Sequence, residues 1–129
     1  MVVNRHVLVT LILISVLGVI AIPFGSRKFV GEAILIELSF VALSVLIWRG
    51  YTRALYACIA LASVVLIGNT ASPAHIHLMS SFSKPVNALI LITGGYVLSG
   101  FLIYTSLKAL IRIRSCSLAQ SSSSPDIKP

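Results

Sequence analysis

Four uninterrupted apolar runs dominate this chain of 129 residues. Each approaches the ~20 residues that an α-helix needs to cross a hydrocarbon core of ~30 Å. The runs cover residues of about 7–22, 29–48, 51–70 and 86–107. Their apolar residues are continuous, neither confined to one side nor alternating, which is typical of helices surrounded by lipid and by each other. The sequence therefore predicts an all-α integral membrane protein folded as a four-transmembrane-helix bundle.

Composition supports the same fold class. The chain is 57% hydrophobic and 10% charged, with a mean hydropathy of +1.02. A soluble domain carries about a quarter charged residues, so this chain has too little polar surface to cover a water-soluble globule. The length suits one transmembrane helical domain, residues 1–114. Residues 115–129 are polar, with Ser121–Ser124 followed by Pro125, and we expect a disordered C-terminal tail there.

The basic residues predict the orientation. The formal net charge is +7, and the Lys and Arg residues stand singly or in pairs at the ends of the apolar runs, a pattern of membrane proteins and not of nucleic-acid binding. With four spans, both termini and the second connection share one side. That side holds Arg5, Arg49, Arg53, Lys108, Arg112 and Arg114, and the other holds Arg27, Lys28 and Lys84. Six against three predicts a multi-pass protein of the cell membrane with both termini cytoplasmic.

The first run also fits a second interpretation. Arg5, an apolar stretch of 16 residues and the small-residue site Val19-Ile20-Ala21 together resemble a secretory signal peptide. The stretch is at the long end for a signal and continues into Pro23, which favours a retained span. Cleavage would leave three spans in the same orientation.

Two glutamates fall in the second run. Glu37 lies about nine residues in, hence ~13 Å deep at 1.5 Å per residue, where an ionised carboxylate is expensive. It is a candidate proton or cation site, and the alternative is a carboxyl group that hydrogen-bonds a neighbouring helix. Glu32, near Lys28, is the lesser candidate, because an interfacial ion pair explains it. The two acids are five residues apart, about 140° around a helix, so they do not form one site.

Histidines mark the third connection. His75, His77 and Met79 alternate, so they would share one face of an extended segment, and imidazole and thioether ligands suit copper. Only three ligands are present, and a helical segment would point them apart. Interfacial polar residues are the favoured interpretation, so no cofactor is predicted, and copper is the lesser alternative.

Small residues favour close helix packing. The fourth run carries Gly94, Gly95, Ser99 and Gly100, and the third carries Ala57 and Ala60. Small side chains let helix backbones approach in a membrane, within one chain or between subunits. Asn87, at the start of the fourth run, is expected to cap that helix or to bond across helices.

Two families of short proteins with a membrane glutamate are similar to parts of the chain. Ala33–Glu37 resembles the stretch around the essential acid of small multidrug-resistance transporters, although that acid is in their first span. Val16–Gly18, Arg27-Lys28 and Glu37 follow the order of the first two spans of the K-type subunit of complex I. The third run lacks that family's second acid, an additional run follows, and the charge bias gives the opposite orientation. Neither similarity identifies a family.

No nucleophile elbow, P-loop, HExxH or GxGxxG motif is present, and Cys58 and Cys116 form no CxxC pair, so we expect no catalysis by this chain alone. The first functional hypothesis is a non-catalytic helical subunit of a larger membrane complex or a homo-oligomer. The alternatives are a small proton- or cation-coupled transporter or proton-conducting subunit that uses Glu37, and a copper-binding subunit outside the cytoplasm.

Overall fold

The computed structural model describes residues 4–24, 27–82 and 84–123. Over these residues it is all-helical and has no strand. Four helices are long and apolar enough to span a membrane: Arg5–Phe24, Arg27–Trp48, Ala54–Ala71 and Pro85–Ser122. The predicted helical class and the four long helices are confirmed.

The helices follow one another through short connections. In chain order they are α1 (Arg5–Ala21), 3₁₀ turns at Ile22–Phe24 and Arg27–Phe29, α2 (Val30–Trp48), α3 (Ala54–Ala71), α4 (Pro73–Ser81), α5 (Pro85–Ile90), a π-helical segment (Leu91–Leu98) and α6 (Ser99–Ser122). The last three elements form one continuous helix, called the fourth long helix below. Gly25 and Ser26, which follow the first apolar run, lie outside the described residues.

A glycine turns the chain between α2 and α3. The Gly50 N–H donates to the Ile47 carbonyl and the Tyr51 N–H to the Leu46 carbonyl, both at 3.0 Å. Gly50 has φ 84°, which only glycine adopts without strain. This is a Schellman motif, which satisfies the last carbonyls of α2 and lets α3 begin four residues later, at Ala54.

The long helices pack as a ring. α1 lies between α2 and the fourth long helix, α3 packs along α6, and α2 contacts α3. An apolar core fills the half of the bundle nearest the N-terminus of α1, the α2–α3 turn and the C-terminal part of α6, called the terminal end below. Its fully buried members include Leu11, Leu55, Cys58 and Leu102. The other half holds the candidate site.

Two segments differ from the sequence-based expectations. The third connection contains a helix, α4, which begins with Pro73 in its first turn, a position where proline is favoured, and ends at Ser81. The tail expected to be disordered from residue 115 continues α6 to Ser122. No glycine or proline interrupts residues 101–124, so the helix propagates from the packed part of α6 into residues that bury nothing. Residues 124–129 of the expected tail lie outside the described residues.

Candidate functional site

Glu37 is buried inside the bundle. It is 8% exposed and shares the inward face of α2 with Phe40, Leu43 and Ile47. Glu32 is exposed in the first turn of α2, where the helix dipole favours a carboxylate. The structure thus separates the two acids, as the helical spacing predicts. The ion pair expected between Glu32 and Lys28 stays a prediction.

A glycine of α1 makes room for the Glu37 carboxyl group. A Cβ atom built at Gly18 would overlap Glu37 Oε2. Every other residue type carries a Cβ, so only glycine at this position lets the carboxyl group lie against the α1 backbone as it does. The contact fixes where the acid sits: between α1 and α2, on the inward side of both.

The Glu37 carboxyl group has few polar neighbours among the described residues. The Ser15 hydroxyl, one turn before Gly18, is close enough to act on it. The pair still falls short of hydrogen-bond geometry, and Ser15 Oγ and Glu37 Oε1 are both buried without a partner. Among the described residues, no basic side chain is close enough to interact electrostatically with the Glu37 carboxyl group. A buried oxygen without a hydrogen-bond partner carries the cost of desolvation, and this cost is higher for a charged group.

Ser15 also belongs to the wall of a groove on the outside of the bundle. A shallow groove of about 430 Å³ runs between α1 and α2, with a nearly apolar lining. It is lined by Ile12, Ser15, Val16, Val19, Ile20, Val41 and Ser44. Ser15 is the lining residue that also acts on Glu37. Its hydroxyl oxygen is itself buried, and Glu37 is not among the residues that line the groove.

Two further glycines lie in the same half of the bundle, in the π-helical segment. A Cβ at Gly94 would lie 3.9 Å from Leu17 Cβ, beside Gly18 on α1. A Cβ at Gly95 would overlap the side-chain amide of Asn69 on α3. Three glycines thus each face one side chain of another helix: Gly18 faces Glu37, Gly94 faces Leu17 and Gly95 faces Asn69. These six residues are called the glycine layer below.

The π-helical segment brings polar groups to this layer. Wide i→i+5 turns are rare and occur often at functional sites. The Ser99 hydroxyl donates to the Gly94 carbonyl at 3.3 Å, which spans the same five residues. Beyond Gly95, the Tyr96 hydroxyl lies 3.4 Å from Thr70 Oγ1 of α3. The Tyr96–Thr70 contact therefore links the fourth long helix to α3 where its regular α-helix is interrupted.

Asn87 bonds across helices. Its Nδ2 donates to the Phe24 carbonyl at 3.0 Å, joining the start of the fourth long helix to the end of α1. This is the second of the two roles expected for it, since the residue preceding α5 is Lys84 and not Asn87.

Some of the small residues predicted to pack between helices lie at contacts within the bundle, and the others are exposed. Gly94, Gly95 and the fully buried Ser99 lie at helix contacts. Gly100 has no atom within 4 Å of a built Cβ, and Ala57 and Ala60 are exposed. The inward face of α3 is instead formed by Ala54, Leu55, Cys58 and Ala62. Packing through Gly100, Ala57 and Ala60 thus requires a partner outside this chain.

The candidate copper ligands lie on α4. Residues two apart on a helix point in nearly opposite directions, so His77 is turned away from His75 and Met79. His77 is exposed, and His75 Nδ1 is buried without a partner. Among the described residues, no three His, Cys, Asp or Glu side chains are grouped closely enough to hold a metal ion. The helical arrangement gives the copper hypothesis no support.

Comparison with protein-family models, with curated proteins and with solved structures finds no match to this chain. Of the residues of this site, the sequence predicts Glu37, Gly94 and Gly95. It does not single out Gly18 as the residue facing Glu37, Ser15 as its polar neighbour, or Asn69 as the residue facing Gly95. The available signal was weak: glycine three residues after serine in an apolar run.

Proposed function

We propose that the protein is an integral membrane protein of the cell membrane, with both termini cytoplasmic, that binds and releases a proton at Glu37. The observation that carries the proposal is the burial of this carboxyl group against Gly18 with Oε1 unpartnered. In a membrane the cost of ionising it would be larger still, so the group exchanges a proton with water only through a specific route.

The surroundings favour a proton over a metal cation. Hard cations such as Ca²⁺ and Mg²⁺ require about six or more oxygen ligands. Ser15 is the polar side chain identified beside the Glu37 carboxyl group, and no group of three or more His, Cys, Asp or Glu side chains among the described residues could hold a metal ion. A proton needs one oxygen, and Glu37 Oε1 is free to accept it. Ser15 lies beside Glu37, and its hydroxyl group can both accept and donate a hydrogen bond, so it could pass a proton to or from the carboxyl group.

The test combines spectroscopy with flux. The chain has only three acidic side chains, Glu32, Glu37 and Asp126, so a protonated carboxyl group detected by infrared spectroscopy is assignable by substitution. We expect a protonated carboxylic acid band near neutral pH that Glu37→Gln removes. Glu32→Gln, the same chemical change at an exposed position of the same helix, should leave the band intact.

The corresponding flux experiment uses proteoliposomes with a pH-sensitive dye inside. Proton flux should fall to the level of empty vesicles in Glu37→Gln and stay at the wild-type level in Glu32→Gln. Unchanged flux in Glu37→Gln, or absence of the carboxylic acid band from the wild-type protein, would remove Glu37 from the mechanism.

The second candidate function is a non-catalytic helical subunit of a larger membrane complex. The observation that favours it is the outward position of three small residues: Ala57 and Ala60 are exposed, and no described atom lies within 4 Å of a Cβ built at Gly100. Gentle solubilisation followed by size-exclusion chromatography tests it. Stable partner proteins should co-elute, and a monomer or homodimer alone would count against the subunit.

A further inference from the structure

The terminal end of the bundle has a concentrated positive charge. Six basic residues lie there: Arg5 at the start of α1, Arg49 and Arg53 around the α2–α3 turn, and Lys108, Arg112 and Arg114 on α6. All six are exposed. The two acids of the described residues, Glu32 and Glu37, lie in the first half of α2, toward the opposite end. No described acidic side chain offsets these charges, so the surface attracts anions.

Exposed aromatic rings lie among these cations. Trp48 is 68% exposed, Tyr51 58% and Tyr104 59%, and the Lys108 Nζ atom stands 5.9 Å above the centre of the Tyr104 ring. Trp and Tyr collect at the boundary between hydrocarbon and headgroups, because one part of each ring is apolar and the other is polar. These rings therefore place the neighbouring cations at the depth of the lipid headgroups.

The cations on α6 extend through that depth. From Lys108 to Arg114 the helix rises six residues, or about 9 Å at 1.5 Å per residue. The headgroup layer on one side of a bilayer is roughly 5–8 Å thick, from total and hydrocarbon thicknesses of ~40–45 and ~30 Å. The basic residues thus span the layer that contains lipid phosphates, and a soluble acidic partner would have to enter it to reach Lys108.

We propose that the terminal end selectively binds anionic phospholipid through the cations of the α2–α3 turn and of α6. The lipid phosphate and its negative headgroup supply the complementary charge, and arginine side chains bind phosphate oxygens with two parallel hydrogen bonds. The surface is separate from Glu37, and lipid selectivity does not depend on whether that residue carries protons.

The test is lipid selectivity of the full chain. The protein is purified in an uncharged detergent and titrated with phosphatidylglycerol or with phosphatidylcholine of the same acyl chains, and bound lipid is counted by native mass spectrometry. We expect tighter binding of phosphatidylglycerol, weakening as salt is added. Arg49→Gln with Arg53→Gln should reduce this preference by roughly thirtyfold, the change expected when two interfacial cations worth about 1 kcal/mol each are lost.

The matched control removes two charges from the opposite end, Lys28→Gln with Lys84→Gln, and should keep the preference. A second double variant, Lys108→Gln with Arg112→Gln, should also show a reduced preference for phosphatidylglycerol. It replaces the Arg49→Gln, Arg53→Gln variant in the test if circular dichroism shows that the latter has lost helical structure. Equal affinity of the wild-type protein for the two lipids overturns the proposal, as does an equal loss in the control. Displacement of phosphatidylglycerol by a poly-glutamate peptide at matched charge would also overturn it, in favour of a soluble acidic partner.

Discussion

At the scale of single residues, the site depends on the absence of a side chain at Gly18. Gly18 has no Cβ, and the Glu37 carboxyl group occupies the space that a Cβ would take. The overlap is with the far end of a flexible side chain, so the carboxyl group can move aside when the space is filled. Substitution at Gly18 therefore displaces the acid more than it disturbs the packing of the two helices.

We expect Gly18→Ala to shift the infrared band of the protonated Glu37 carboxyl group and to reduce proton flux. Stability should change by at most about 1 kcal/mol, since alanine gains helix propensity over glycine while the carboxyl group relocates. Gly100→Ala is the control, because nothing lies within 4 Å of a Cβ there. An unchanged band in Gly18→Ala would contradict the contact between Gly18 and Glu37.

Glu37 can be predicted as a candidate site from the sequence, but its neighbours Gly18 and Ser15 on α1 cannot. A carboxylate in an apolar run is conspicuous by its cost of burial, whatever surrounds it. Which residue of another helix faces it depends on the rotation of both helices about their axes. In α1 and α2 apolar residues cover all sides, so no amphipathic pattern reveals that rotation. Gly18 and Ser15 are therefore visible only once the helices are packed.

At the scale of elements, the fourth long helix departs most from regular geometry. Its π-helical segment, Leu91–Leu98, contains Gly94 and Gly95, and Gly95 faces the Asn69 amide of α3. The sequence predicts a helix here and small residues at its contacts, but not the change of helical turn. Nothing in an apolar run distinguishes i→i+4 from i→i+5 bonding, because both satisfy the backbone.

Gly95→Ala should destabilise the contact between α3 and the fourth long helix, because the new Cβ meets the Asn69 amide and its Cγ atom at 3.3 Å. We expect a lower midpoint of thermal unfolding in detergent, followed by circular dichroism. Asn69→Ala removes the obstructing side chain, so the double variant should lose less than the sum of the two single variants. Additive losses would show that Gly95 and Asn69 do not touch. Gly68→Ala, where a Cβ meets nothing within 4 Å, is the matched control.

At the scale of the whole molecule, the two cysteines offer a direct test of orientation. Cys116 is exposed on α6 at the terminal end, whereas Cys58 is buried in α3. If both termini are cytoplasmic, a membrane-impermeant maleimide should label the protein in permeabilised cells and not in intact ones. Cys116→Ser should abolish the labelling and Cys58→Ser should leave it. Labelling in intact cells would reverse the proposed orientation.

The contact between Gly18 and Glu37 also bears on how the chain enters a membrane. Alone in lipid, α2 would expose an acid in its apolar run, whereas paired with α1 it encloses that acid between two backbones. The connection between them spans only residues 22–29 and consists of 3₁₀ turns where it is described. We therefore expect α1 and α2 to leave the translocon together, as one helical hairpin in which α1 shields the acid of its neighbour from lipid.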